Sequence, residues 1–481
     1  MPFLHPLSQI TVLICFVALI FVLFFDEQDY LTFSVLFLMI STIVTSFDME
    51  NPPTLEDYIG GIDWQVILFL ISMFTIVEIL NEAHIFYAIA QFIIKRFRKN
   101  IRIMFYILCI ISTLLASILE DLSIAIIFIP IIILTCQELK TNPAPFLYGM
   151  TICINLASTL TPFGSAENIM IAHEFQLSFR FFLLNFGMYF IFTILLTLVL
   201  LDFFVLRKSI DQKWIPKSEE IEEFNELPKN ISELTQMQEE KENFPVHLSP
   251  PISLEAIEGN LNEKVLKRNS LIKNSVGLVI FIILLLFIPQ IHVAGLLSML
   301  IFIFLNVQKD KKGKFRPSLS KYLRKVDYKL IYFFMCLFIL VFLMEFNGTV
   351  ALLEDLIEKL VVNNIFLTSL VVLFFSSLLS GFLDNAPVTI IFLPIIRILI
   401  SETGFSATPI LIAFVLGINL GGNFLPQGSA ADMMTLELST YYHVDDVNYK
   451  RLVKIGGLFA LFHILLGIAY LAFIIYVFPK F

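Results

Sequence analysis

Apolar residues run in long blocks along this chain, near 8–25, 30–47, 63–80, 104–136, 146–172 and 181–206, then again near 271–288, 291–307, 329–346, 365–400, 408–438 and 451–478. Half of them are about 17–25 residues long, the length of helix that spans a hydrocarbon layer of about 30 Å, and the rest are longer. Between the two groups lies 207–270, rich in Glu, Lys, Asn and Pro ("KSEEIEEFNELPKN"), which reads as a solvated linker. The pattern predicts an all-α integral membrane protein in two halves, 1–206 and 271–481.

The halves also match residue by residue. A shift of 264 positions, without a gap, lays LEDLSIAIIFIPII (119–132) on LDNAPVTIIFLPII (383–396) and INLASTLTPFGSAENIM (154–170) on INLGGNFLPQGSAADMM (418–434). Of the 52 paired positions from Leu119 to Met170, 18 are identical. Shared apolar composition does not explain the coincidence of Asn155 with Asn419, Pro130 with Pro394, or Gly-Ser-Ala with Gly-Ser-Ala. This is an internal repeat.

Two features of the repeat interrupt the lipid-compatible pattern. Glu120 and Asp121 stand in the middle of 104–136, and the arms beside them are about 22 Å or less at 1.5 Å per residue, too short to cross. A re-entrant hairpin over 101–139, with a twin over 365–400, fits this; two short helices joined by an exposed acidic turn are the alternative. The blocks 146–172 and 408–438 carry turn formers at their centres, predicting helices broken at Thr159 to Asn168 and at Asn423 to Asp432. Irregular backbone at that depth is tolerated only where protein or a cavity surrounds it, and matched breaks in two halves point to a transporter binding site.

Counting three spans, a hairpin, a broken span and a last span gives five crossings per half, so about 10 spans plus 2 hairpins. The odd number inverts the second repeat. Charge agrees with the count: 28 of the 32 Lys and Arg fall on one face, leaving Arg180, Lys359, Arg397 and Lys480 on the other. The positive-inside rule makes the first face cytoplasmic, with the 207–270 linker, and places both termini outside a plasma membrane.

Composition fits this picture: 58% hydrophobic, 15% charged, mean hydropathy +0.85. The net charge of −9 belongs largely to loops and carries no argument for a nucleic-acid partner; none is expected. Five cysteines all fall in apolar blocks without metal-ligand spacing, there is no phosphate-binding Gly-rich loop, and the histidines are scattered, so no enzyme activity is expected. The N-terminus lacks a basic segment and a cleavage site, so the first block is expected to be a retained helix.

The tips "SILEDLS" and "SGFLDNAP", the breaks "LTPFGSAENIMI" and "GINLGGNFLPQGSAADMM", and the span "IDWQVILFLISMFTIVEIL" (62–80) resemble the ion transporter superfamily. That group includes citrate-transporter-like permeases, arsenical pump membrane proteins, the pink-eyed-dilution protein and NhaD-type antiporters. The resemblance covers the chain except 207–270. It implies that tips and breaks meet near the midplane, with a coupling cation beside the substrate, and that the protein is a homodimer. It places Glu120, Asp121, Asp384 and Asn385 at the tips, and Thr161, Gly164, Ser165 and Asn168 opposite Gly422, Asn423, Gly428 and Ser429. Dicarboxylate symporters of the group carry Ser-Asn-Thr at each tip; here Glu-Asp-Leu and Asp-Asn-Ala stand there, which argues against a di- or tricarboxylate.

An ionised carboxylate in low dielectric needs a partner, and no Lys or Arg is close in sequence to Glu120, Asp121 or Asp384. Na⁺ or a proton is the expected partner, with carboxylate, Asn and freed carbonyl oxygens as ligands; no cofactor other than Na⁺ is expected. Asp121 could instead cap the return arm, Asn155 and Asn419 could be interhelical glue rather than ion ligands, and Glu78, which resembles an antiporter position, could only face water. The leading expectation is an ion-coupled secondary transporter of a small anion, oxyanion or neutral oxyacid such as arsenite. A Na⁺/H⁺ antiporter is the alternative and an ion channel the lesser one.

Overall fold

The computed structural model describes residues 6–23, 29–119, 121–209, 268–288, 290–309, 315–350 and 364–478. Glu120, Lys359, Lys480 and most of the expected 207–270 linker lie outside these residues. The first half supplies α1 (Pro6–Leu23), α2 (Tyr30–Asp48), α3 (Leu55–Gly60), α4 (Trp64–Glu82), α5 (Ile85–Phe97), α6 (Ile101–Ala116), α7 (Asp121–Glu138), α8 (Ala144–Ala157), α9 (Ala166–Glu174) and α10 (Phe179–Leu201), which continues through a π turn, Asp202–Leu206. The second supplies α11 (Arg268–Phe287), α12 (Ile291–Leu305), α13 (Leu319–Leu323), α14 (Tyr328–Phe346), α15 (Ile365–Phe382), α16 (Asn385–Thr403), α17 (Ala407–Gly421), α18 (Ala430–Tyr441) and α19 (Tyr449–Tyr476). A two-residue antiparallel pair, β1 (Gln308–Lys309) and β2 (Phe315–Arg316), precedes α13.

The internal repeat reaches into the helix ends. α4 and α14 begin and end 264 positions apart, and their N-caps correspond: the Asp63 carboxylate accepts from the backbone N–H groups of Gln65 and Val66, and Asp327 accepts from Leu330. The entering arms α6 and α15 are capped alike, by Asn100 on Ile103 and by Asn364 on Phe366 and Leu367. Each cap satisfies N–H groups that lack intrahelical partners and contributes about 1 kcal/mol.

Packing follows the same two-fold logic. α4 lies on α12 while its counterpart α14 lies on α2, and the return arm α7 lies on α18 while its counterpart α16 lies on α9. Every one of these pairs joins one half to the other, so neither repeat buries its apolar surface alone. The fold is an all-α membrane protein of two inverted repeats, each with a re-entrant hairpin and a broken helix.

Polar contacts identify the two faces. On the basic face Lys325 pairs with Glu78 and Glu82, Lys329 with Asp29, Lys273 donates to the Leu305 carbonyl, Arg102 binds Asp202, and Asn142 donates to Asp446. Arg102 opens the first hairpin and Asn142 follows it, so the hairpin leaves by the face it entered. On the opposite face Gln9 donates to the Asn347 carbonyl, His173 contacts Asp63, and Arg397 binds Glu174 and Glu345. The second hairpin belongs there: Phe366, at its start, packs its ring on Tyr476 at the far end of α19, and Arg397 lies on its return arm.

Two sequence expectations change. The segment between the third and fourth blocks is helical as α5, because Ile85, Phe86, Ala90, Ile93 and Ile94 form a buried face while Lys95 and Arg96 end it toward water. The breaks are also shorter than expected, closing at Ser165 and Ser429. Both serines have extended backbone and start a helix, which puts Asn168 and Asp432 inside a first turn.

Close approach between α15 and α17 rests on glycine. A Cβ at Gly421 would overlap the backbone of Ser377, whereas one at Gly60 would meet nothing. Gly421→Ala is therefore expected to lower stability by about 1–3 kcal/mol or more, and Gly60→Ala to leave the thermal melt of the purified protein unchanged.

Candidate functional site

The tips and breaks come together through backbone as well as side chains. In the first half Thr161 donates to the Ser117 carbonyl at the tip and accepts from the N–H groups of Phe163 and Gly164, at 3.1 and 3.2 Å. Gly164 fits against Ala116 and Ser117, where a Cβ would press on backbone. In the second half Ser380 bridges the Asn385 amide oxygen and the Ile418 carbonyl, and Gly428 seats against the carbonyls of Ser380 and Gly422. Hydroxyls thus replace hydrogen bonds that the broken helices give up, and the glycines let the backbones of tip and break lie against one another.

At the centre the two breaks exchange amides. Asn155 Nδ2 donates to Asp432 Oδ2 at 3.1 Å and to Asn423 Oδ1 at 2.8 Å, and its own oxygen accepts from Ser429 Oγ at 2.7 Å. The repeat-related set is Asn419 donating to Asn168 Oδ1 at 2.9 Å and accepting from Ser165 Oγ at 3.5 Å. Asn168 also donates to the carbonyls of Ser158 and Thr161. Asp432 takes a further bond, 2.5 Å, from Thr151 Oγ1. The cluster is therefore two-fold in layout and unequal in charge, with a carboxylate at position 432 where the first repeat has the Asn168 amide.

A second bridge crosses the halves beside it. Asn385 Nδ2, at the tip of the second hairpin, donates to Glu167 Oε1 at 3.1 Å, and Asp121 and Asp384 lie close enough to repel Glu167 electrostatically. Asp121 stands in the first turn of α7 and accepts from the N–H of Leu122. Glu167, Asn168, Asn155, Asn419 and Asp432 are buried, whereas the Asp384 side chain keeps free surface although protein surrounds it closely. From the opposite face a cavity of about 450 Å³, bordered by Glu56, Asp57, Asp63, Glu174, Glu345 and Arg397, reaches in as far as Met170 and Ile390.

Of the residues expected from sequence, Asn155, Asn423 and Ser429 belong to one hydrogen-bonded set and Asn168, Asn419 and Ser165 to its repeat-related counterpart. Asp121, Asp384 and Asn385 lie beside them, and Gly422 packs against Asn385. Glu120 lies outside the described residues. Glu78 is elsewhere: its carboxylate pairs with Lys325 at 2.5 Å on the basic face. Arg397 is held between Glu174 and Glu345 on the opposite face. Two acids that sequence reasoning passed over, Glu167 and Asp432, are central. Their signal was present in the repeated "GSAEN" and "GSAAD", where an acid two or three positions past an N-cap serine sits at membrane depth.

Glu167, Asp384 and Asp432 form no ion pair with Lys, Arg or His among the described residues. At about 2.5–3.5 kcal/mol for each charge at the centre of a span, ionised Glu167 and Asp432 would cost about 5–7 kcal/mol, comparable to the net stability of a small domain. A cation or a proton would relieve that cost. No group of three or more His, Cys, Asp or Glu is arranged as a metal centre among the described residues. A bound cation here would take amide, hydroxyl and carbonyl oxygens beside its carboxylates.

Inverted repeats whose broken helices enclose a polar cluster at membrane depth define a membrane transporter. The chain belongs to the citrate transporter family, whose sequence model matches residues 9–418. It is 26% identical over 388 residues to a 46 kDa membrane protein of Mycobacterium leprae, covering 79% of each chain. It is 24% identical over 511 residues to the P protein of Sus scrofa, covering 96% of this chain and 59% of that one. The fold is similar to that of the Alcanivorax borkumensis YdaH transporter, with a TM-score of 0.52 at 12% identity, over 93% of this chain and 98% of that chain.

Asp432→Asn tests the asymmetry. It gives the second repeat the amide that the first already has at Asn168, so the fold should be kept while transport in proteoliposomes falls at least about tenfold, the equivalent of about 1.4 kcal/mol. Transport at the wild-type rate would show that the charge at 432 has no part in the cycle.

Proposed function

We propose that this protein is a secondary active transporter whose central carboxylate–amide cluster binds Na⁺ and protons as alternatives and exchanges them across the plasma membrane. The observation that carries the reading is the burial of Glu167 and Asp432 beside Asn155, Asn419 and Asn385, without a basic counter-charge among the described residues. Na⁺ suits such a set because it is a hard cation that takes oxygen ligands, and a proton relieves the same charge when Na⁺ leaves. The acidic mouth around Glu56, Asp57 and Glu174 would draw cations to the cavity that leads inward from the opposite face. The basic face is assigned to the cytoplasm on its charge.

One further observation favours a second reading, in which cation binding drives a small anion, oxyanion or neutral oxyacid such as arsenite. Neither Ser165 nor Ser429 caps its helix with its side chain, so first-turn N–H groups of α9 and α18 remain to receive an oxyanion beside a bound cation.

Proteoliposomes containing an internal pH dye separate the two. For exchange, a Na⁺ gradient should move protons in the opposite direction without any added anion, and Glu167→Gln should reduce the rate at least about tenfold. Proton movement that requires an added oxyanion would replace exchange by co-transport, and wild-type proton exchange in Glu167→Gln would remove Glu167 from the mechanism.

A further inference from the structure

The basic face carries a second cavity, of about 480 Å³, where the end of α10 meets the start of α19 and the residues that lead into α8. Its polar side holds three cations, Lys208, Arg451 and Lys454, and one acid, Asp446. Asp446 is already satisfied: its carboxylate takes a 2.6 Å bond from Asn142 and pairs with Arg451, and its carbonyl accepts from Tyr148 at 2.8 Å. Lys208 and Lys454 are exposed and have no carboxylate partner among the described residues. Two positive charges therefore remain uncompensated in a concave site.

The other side of the cavity is apolar. Phe204, 48% exposed, and Leu458, 60% exposed, line it, and α19 carries the apolar surface onward through the exposed Leu461 and Leu465. Arg451, Lys454, Ile455 and Leu458 recur at helical spacing, so one face of α19 passes from charge to hydrocarbon within two turns. A soluble anion would use only the lysines. A molecule with an anionic head and acyl chains would use both walls, and basic pockets between helices at a membrane face are suited to such headgroups.

We propose that this cavity binds an anionic phospholipid, with its phosphate between Lys208 and Lys454 and its chains along Phe204 and Leu458. The lipid would connect the last helices of the two repeats beside the Asn142–Asp446 and Tyr148–Asp446 bonds, which anchor the start of the first broken helix. Bound there, it stabilises the junction between halves.

The test is the melting temperature of the full-length protein in neutral detergent, with phosphatidylglycerol or phosphatidylcholine added at equal mole fraction, and with inorganic phosphate or glycerol phosphate as soluble controls. Phosphatidylglycerol should raise the melting temperature by several degrees more than phosphatidylcholine. That difference should fall by at least half in the double variant Lys208→Gln with Lys454→Gln and persist in Lys99→Gln, a lysine of the same face outside the cavity. An equal response to both lipids, or an undiminished one in the double variant, overturns the proposal. A soluble phosphate that reproduces the full shift assigns the cavity to a free anion and overturns the lipid. Native mass spectrometry of the wild-type protein reads the same question without a variant: preferential retention of phosphatidylglycerol is expected, and equal retention of the two lipids contradicts it.

Discussion

Asn155 reaches across to Asp432, and Asn419 reaches across to Asn168. The rest of the architecture depends on these crossed amides, because they satisfy polar groups of both broken helices at a depth where water is excluded and an unpaired group costs several kcal/mol. Each break is satisfied partly within its own repeat and partly by the other. The same exchange holds the hairpins: α7 lies on α18 and α16 on α9, so a tip cannot move without disturbing the opposite break. The irregular backbone is thus held from both halves, and the glycines at 164, 421 and 428 let the pieces come within backbone distance.

Within that two-fold frame the chemistry is unequal. Position 168 is an amide and position 432 a carboxylate; position 431 is Ala where the first repeat has Glu167. Both acids project from the first turn of a helix, where the dipole favours negative charge. The dipole contributes at most about 2 kcal/mol, less than the penalty of a charge at the centre of a span. Hydrogen bonds from Thr151 and Asn155 to Asp432 and from Asn385 to Glu167 offset part of the remainder, and a cation or a proton would supply the rest.

Much of this was legible in the sequence for a physical reason: a bilayer forces apolar blocks of fixed length and lets polar residues into them only for cause. The hairpins, the broken helices and the paired asparagines 155 and 419 all show as violations of that rule, and the 264-residue shift repeats them. The hidden parts obeyed different rules. α5 is amphipathic and too charged at its end to register as a block. Glu167 was masked by its neighbours in the turn-forming motif, and its link to Asn385, 218 residues away, exists only in three dimensions. Glu78 stood out as an acid in an apolar run, yet the chain folds Lys325 against it.

If Na⁺ and protons share one buried cluster, adding Na⁺ to the purified protein in weakly buffered detergent solution displaces protons, which a pH dye reads with K⁺ as the control for ionic strength. Proton release is expected with Na⁺, absent with K⁺, and saturating as the cluster fills. Saturable Na⁺ binding with no proton released, or no Na⁺ binding at any pH, would contradict it.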